Sequence, residues 1–339
     1  MHLNFTTLFN TGYLAKGMAL YNSLVKNCPQ FHLYIFAFDD ISYKILVEKN
    51  LVNATIIALH EFETDALLQV KKERSVAEYC WTCTPFTVKY CIENFNLDHC
   101  TYLDADTFFY SDPTLLITQM GNDAVLITPH NYHSYYETST TSGIYCVQFT
   151  TFKNNSQGMQ VLNWWAQACL KWCYARYEDG KMGDQKYLDS WPYMFDDVHI
   201  CRNTGAGLAP WNTLNYNFKK ENNSFTVDET LLVFYHFHDL KYLSDNSWYL
   251  GGYEIPEIIV EEIYKPYMRM LLEIDKNLKL QYNGVDTLNA VAIEKEDALN
   301  LKYKLGMYVL DLKRSFPQFI SALFFSGRRK HYKHNYIKL

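Results

Sequence analysis

Two kinds of apolar segment alternate along the first half of the chain. Leu3 to Phe9, Leu33 to Phe38, Ala54 to Leu59, Cys100 to Leu103 and Ala124 to Thr128 are short apolar runs of the kind that form buried strands. Between them lie stretches with helical spacing. Tyr13 to Val25 carries Leu14, Met18, Tyr21 and Leu24 on one side, and Tyr43 to Asn50 is helical. Pro85 opens a helix that reaches about Phe95, because proline suits a first helical position. Strands separated by helices predict an α/β fold with a mainly parallel sheet covered on both faces.

The second half is more mixed. Ser142 to Phe149 and Leu231 to Phe237 read as strands, and Met159 to Tyr177 as a long helix with Leu162, Trp165, Cys169 and Cys173 along one side. Trp164, Trp165 and Trp172 read as helix packing. Beyond Ser244 the pattern turns helical, with Ile255 to Ile274 and Leu288 to Leu312 apolar at three- and four-residue spacing. The predicted organisation is a main α/β domain over residues 1–245 and a helical C-terminal extension over 246–339, within a chain of 339 residues.

Composition narrows the class. A formal net charge of −6 gives no sign of a nucleic-acid binder, and the 17% of aromatic residues, with 28 Tyr and 7 Trp, suits surfaces that stack on sugars or bases. His2 to Phe9 reads as a strand without signal-peptide features, and no apolar run reaches membrane-spanning length. The nine cysteines sit mostly in apolar periodic segments, which predicts reduced thiols and a cytoplasmic protein. Cys80 and Cys83 have metal-knuckle spacing but no second pair, so a structural zinc site is not expected. From Asp311 onward the chain holds seven Lys or Arg, two His and one acid, interleaved with apolar residues. Two readings stand: a basic amphipathic segment on the inner face of a membrane, or a packed C-terminal helix followed by a solvated tail.

The chemistry centres on Tyr102-Leu103-Asp104-Ala105-Asp106-Thr107. Two carboxylates two residues apart, where a strand ends and the chain turns away, can converge on one point and make a hard oxygen site for Mg²⁺ or Mn²⁺. Sheets of the predicted kind bind ligands beyond the carboxyl ends of their strands. Asn10-Thr11-Gly12-Tyr13 and Pro129-His130-Asn131-Tyr132-His133 also follow strands there. The polar-aromatic loop of His130, Tyr132, His133, Tyr135 and Tyr136 reads either as an acceptor-site lining or as a surface loop. Gly205-Ala206-Gly207 is a place where backbone can approach a ligand closely.

These segments resemble the GT-A nucleotide-sugar glycosyltransferases, whose Rossmann-like fold has a mixed, mainly parallel sheet flanked by helices. Tyr102 to Thr107 resembles their metal-binding motif. In the order of the retaining, family-8-like branch, Asn10 to Tyr13 resembles its nucleoside segment and Thr141-Ser142-Gly143-Ile144-Tyr145 its Asn-Ala-Gly-Val motif. Gly183-Asp184-Gln185-Lys186-Tyr187-Leu188 resembles its Asp-Gln-Asp-Ile-Leu motif, and His236-Phe237-His238-Asp239-Leu240-Lys241 its final His-Phe-x-Gly segment with Lys. The chain is also similar to an uncharacterised bacterial group carrying Glu-Tyr-Cys-Trp-Thr-Cys-Thr-Pro, here Glu78 to Pro85.

The resemblance implies a nucleoside-diphosphate sugar as donor, a UDP-sugar above all, and a cell-surface glycan or its lipid-linked precursor as acceptor. It implies Asp104, Asp106 and His236 as metal ligands, with His238 as the rival histidine and a donor contact. A histidine in the set favours Mn²⁺ over Mg²⁺. Leu8, Phe9, Asn10 and Tyr13 would meet the nucleoside, and Ser142 and Gly143 the donor. Arg74 and Lys241 would face the phosphates, with Asp184 and Gln185 beside the anomeric carbon. The sequence departs from the pattern where Asp239 stands in place of the usual Gly, and where Lys-Pro-Trp is missing after Lys241. A comparable Ala209-Pro210-Trp211-Asn212 comes earlier. The competing readings are a sugar nucleotidyltransferase, which lacks its basic Gly-rich loop here because Asn10 to Lys16 holds one Gly and one Lys, and a degenerate sugar-binding protein.

Overall fold

A computed structural model describes residues 1–222, 224–292 and 335–339. It divides into two compact units, one of Met1–His238 with Ile255–Leu288 and one of Asp239–Glu254 with Asn289–Leu339.

The first unit is built on a sheet of β1 (Leu3–Phe9), β2 (Phe31–Ala37), β3 (Ala54–Ala58), β4 (His99–Leu103), β6 (Val125–Pro129), β7 (Tyr145–Lys153) and β8 (Val198–Ile200), with Thr107–Phe109 as β5 outside it. The order is β3-β2-β1-β4-β7-β6-β8. All neighbours are parallel except β7, which runs antiparallel to both β4 and β6. The sheet is therefore the mixed, mainly parallel one expected, and its central strands are apolar on both faces because both faces are covered. In β2, Leu33, Ile35 and Ala37 join one core with Leu14, Leu20 and Phe149, while Tyr34 and Phe36 join the other with Val88, Trp165 and Trp191. That is the two-residue period of a strand feeding two layers.

Several elements differ from expectation for local reasons. The helix assigned to Pro85 starts nine residues earlier, at Val76, and runs to Phe95 with Pro85 inside it. Its start is fixed by Ser75 and Glu78, which satisfy each other's backbone N–H groups as a capping box. The long helix after β7 spans Ser156–Lys171, capped by Asn155 and stopped by extended backbone at Trp172. The strand expected from Ser142 begins only at Tyr145, after a single helical turn at Ser139–Ser142 and Gly143 at φ +107°. Leu231 to Phe237 is two strands, Thr230–Leu231 and Phe234–His236, because the N–H groups of Leu232 and Val233 bond to Phe225 and Gly205 carbonyls instead.

The division of the chain also differs from the boundary expected near residue 245. The helix Lys265–Gln281 buries Tyr267, Met268, Leu271 and Leu278, and Leu278 joins the first unit's core. The second unit holds antiparallel strands Lys241–Tyr242, Trp248–Tyr249 and Tyr336–Ile337, the last two within the 246–339 extension expected to be helical. Of the predicted helix Leu288 to Leu312, positions 293–312 lie outside the described residues, as does most of the basic segment from Asp311. Among the described residues no helix is long and apolar enough to cross a membrane.

Candidate functional site

The turn that ends β4 carries the two carboxylates. Thr107 donates to the Asp104 carbonyl through its N–H at 3.1 Å and its hydroxyl at 2.8 Å, closing the turn between β4 and β5. The Phe234–His236 strand lies antiparallel to β5, with His236 opposite Thr107, and Phe237 N–H donates to the Asp106 carbonyl at 2.9 Å. His236 Nε2 thereby stands 3.1 Å from Asp106 Oδ1 and 3.6 Å from Asp104 Oδ2. His238, two residues on, is exposed, and its ring packs edge-on to Trp211.

Because β7 is antiparallel to β4, it is the start of β7 that reaches this edge of the sheet. Asp104 N–H donates to the Gln148 carbonyl, and Cys146 pairs with Thr128 of β6. Gln148 Oε1 is 2.8 Å from His236 Nδ1, an acceptor for the Nδ1–H that leaves Nε2 turned to the carboxylates. An outer carbonyl-type acceptor of this sort is what orients a metal-binding histidine. One ligand atom each from Asp104, Cys146 and His236 lies within 4.8 Å of the others. The Asp104 carboxylate, the Cys146 thiol and the oriented imidazole could together hold a divalent ion, and Asp106 lies outside that group of three.

Lys16, in the first turn of the helix Leu14–Asn27, places Nζ 3.6 Å from Asp106 Oδ2 and 4.3 Å from the centre of the Tyr13 ring. Its side chain is 7% exposed. Burial by itself raises the Asp106 carboxyl, but the charged His236 ring and the Lys16 ammonium outweigh it and hold that carboxyl well below the usual range. Burial likewise opposes charge on His236, and the two aspartates overcome it, so its ring stays protonated well above the ordinary imidazole range. Asp104 is raised, by burial first and by Asp106 as well, with His236 opposing. Asp184 is pushed up to about 7 by burial and by the Asp104 charge, although Thr84 and the Gln185 backbone bond to it. The third carboxylate of the sequence motifs is thus close enough to Asp104 to feel it. Burial also raises the Cys146 thiol.

The remaining motif residues fasten loops to one another. Gln185 Nε2 donates to the Ser142 carbonyl at 2.7 Å, and Lys186 Nζ to the Ser139 carbonyl at 2.7 Å and to Asp189 at 2.8 Å. Asp189 accepts in turn from Ile144 N–H at 2.6 Å, beside Gly143. Leu8 and Phe9 are buried at the end of β1, and Tyr13 is 40% exposed. The Asn10 carbonyl accepts from Tyr13 N–H at 3.0 Å across the turn Thr11–Tyr13, and Asp39 holds that turn through Thr11 N–H at 2.7 Å and Thr11 Oγ1 at 2.5 Å. Arg74 spends its donors elsewhere: on Thr82, on the Cys169 carbonyl at 2.9 Å and on the Leu170 carbonyl at 2.7 Å. Lys241 belongs to the second unit and pairs with Asp239 at 2.6 Å. Asp239 has φ +60°, which explains why this position tolerates Gly or Asp.

Two other expectations find local partners. Trp211 and Asn212 both donate to the His130 carbonyl, at 2.8 and 2.9 Å, and so tie the loop after β6 to the 205–212 segment. The close backbone approach at Gly205 is to the Leu231 carbonyl, which a Cβ would strike. All nine cysteines are free, eight of them buried. Among the described residues, Cys80 and Cys83 belong to no cluster of three metal-ligating groups.

Sequence reasoning missed Lys16, Asp39, Cys146 and Gln148. Lys16 was weighed only as too little for a phosphate loop; a lysine on the buried side of an amphipathic helix was the available signal. Cys146 and Gln148 gave none, because their place depends on β7 inserting between β4 and β6.

No family model matches the chain. Two proteins of Bacillus subtilis strain 168 are similar to it. The uncharacterised protein YfnD is 29% identical over 274 residues, covering 78% of this chain and 87% of its own. The uncharacterised protein YfnF is 26% identical over 298 residues, covering 83% and 96%. Among solved structures, an active-site mutant of LgtC matches 80% of this chain and 96% of its own at 10% identity with a TM-score of 0.50. The chain has the GT-A fold.

Proposed function

We propose that this chain is a divalent-metal-dependent glycosyltransferase. It moves a sugar from a nucleoside-diphosphate sugar, a UDP-sugar by preference, to a hydroxyl of a cell-surface glycan or lipid-linked precursor, with retention at the anomeric carbon. The observation that carries this reading is the convergence of Asp104, Asp106 and His236 at the carboxyl edge of a GT-A sheet, with His236 Nε2 3.1 and 3.6 Å from the two carboxylates. The retaining outcome and the acceptor class rest on the motif resemblance.

Asp104, Asp106 and His236 would hold the ion, and their mixed oxygen and nitrogen set suits Mn²⁺. When bound, the ion supplies positive charge to the leaving diphosphate. Lys16 adds a buried ammonium beside Asp106, and Lys241 is the further cation proposed for the phosphates; Arg74, expected there as well, is bound to the Cys169 and Leu170 carbonyls instead. The half-open Tyr13 ring offers a stacking face for the base beside Leu8, Phe9 and Asn10, with Ser142, Gly143 and His238 completing the donor contacts. Asp184 and Gln185 stand beside the sugar, where carboxyl and amide oxygens stabilise positive charge at the anomeric carbon. In the transfer, the bond from anomeric carbon to phosphate oxygen breaks and its electron pair stays on the phosphate. The acceptor oxygen bonds to that carbon, and its proton passes to the departing phosphate oxygen.

The test is release of nucleoside diphosphate from a panel of nucleotide sugars with Mn²⁺, with and without EDTA, followed by NMR of the product anomer. Release that depends on the metal is expected. No release from any donor, or release indifferent to EDTA, would overturn the reading.

A further inference from the structure

The donor chemistry above leaves Cys146 unused, yet its thiol shares the cleft. Cys146 and Gln148 of β7 both reach the His236 ring. Gln148 orients His236 from there, and Cys146 contributes the sulfur of the cluster in which ligand atoms of Asp104, Cys146 and His236 lie within 4.8 Å. Asp106, whose Oδ1 is 3.1 Å from His236 Nε2, lies outside this cluster of three. A single ion with ligand bonds of about 2.0–2.3 Å fits this spread after small side-chain rotations. Among the described residues no other such cluster of His, Cys, Asp and Glu occurs.

The donor types decide which ion gains. A thiolate is soft: Mg²⁺ and Mn²⁺ take little from it, whereas Zn²⁺, Co²⁺ and Cd²⁺ bind it strongly. One nitrogen, one sulfur and one carboxylate oxygen are all donor types that zinc takes readily. Resting on the reading that Asp104, Asp106 and His236 bind a divalent ion, we infer that Cys146 is a further ligand at this site and makes it selective for thiophilic divalent ions. The metal–sulfur bond forms as the Cys146 proton leaves to solvent. Such an ion, held by the thiolate as well, binds more tightly and displaces Mn²⁺. Zinc is therefore an inhibitor that acts through Cys146.

The experiment is a Co²⁺ titration of the full chain read by absorption, beside Mn²⁺ binding read by water-proton relaxation. Wild type is expected to show a sulfur-to-cobalt charge-transfer band in the near ultraviolet. Cys146→Ser and Cys146→Ala should both lose it, with Zn²⁺ competing for the site about 10-fold or more less tightly and Mn²⁺ affinity little changed. Matching thermal unfolding of the variants with wild type separates ligand loss from misfolding. Mn²⁺ and Co²⁺ binding without the sulfur band, or a band that survives in both variants, overturns the role of Cys146 and leaves the glycosyltransferase reading intact. Failure of wild type to bind either ion overturns both.

Discussion

Lys16 and Arg74 are two sheltered cations that the fold uses in opposite ways. Arg74 spends its guanidinium on backbone carbonyls at the end of the helix Ser156–Lys171, where a cation meets the negative end of the helix dipole. Lys16 spends its ammonium on the Asp106 carboxylate and the Tyr13 ring, at the proposed donor site. Sequence order singled out Arg74 because it precedes the Asp-x-Asp motif. The structure shows that a cation's neighbours, rather than its place along the chain, decide whether it holds the fold or balances a site.

The largest effect expected lies at the carboxylate between Lys16 and His236. Asp106→Ala should lower sugar transfer about 10³-fold or more while unfolding stays cooperative; wild-type turnover in a folded variant would make that carboxylate structural. Next, Lys16→Met removes a positive charge 3.6 Å from Asp106 Oδ2, the carboxylate proposed to hold the metal. Mn²⁺ affinity measured by relaxation titration should rise about 5- to 50-fold, and an unchanged affinity would break the contrast with Arg74. Arg74→Met should instead cost about 2 kcal/mol of stability in urea unfolding, through its charged hydrogen bonds, and leave Mn²⁺ affinity unaltered.

The smallest effect concerns Asp39, which anchors the turn in front of Lys16. Burial raises its carboxyl, but bonds from Thr11 and Ser42 win and hold its pKa below the ordinary value. Its ionised form therefore stabilises the fold fully above the unfolded pKa of about 3.9, and that share is lost as pH falls through the lower folded value. Asp39→Asn should reduce stability near neutral pH by about 1 kcal/mol and flatten the acid side of the unfolding profile. An unaltered profile would remove Asp39 from the support of the loop.

How much was legible follows from which interactions are local. β1 to β4 and the helix Leu14–Asn27 read correctly because burial on two faces, or on one, writes a plain period into the residues. The helix at Val76 was cut short because Pro85 outweighed the capping box at Ser75 and Glu78. Asp104, Asp106, Asp184 and His236 stood out in the sequence because each sits in a short motif. The histidine left open between 236 and 238 faces the carboxylates at 236 because Phe234–His236 pairs with β5. Cys146, Gln148 and the assignment of 255–288 to the first unit depend on long-range pairing and packing, which no window of neighbouring residues contains.

The antiparallel course of β7 makes the ligand edge sensitive to arithmetic. A strand has a period of two, so sliding β7 by one residue along β4 would turn Cys146 and Gln148 into the layer behind and bring Tyr145 and Val147 to the cleft. One inserted or deleted residue between Tyr145 and Phe149 would then erase the outer support of His236.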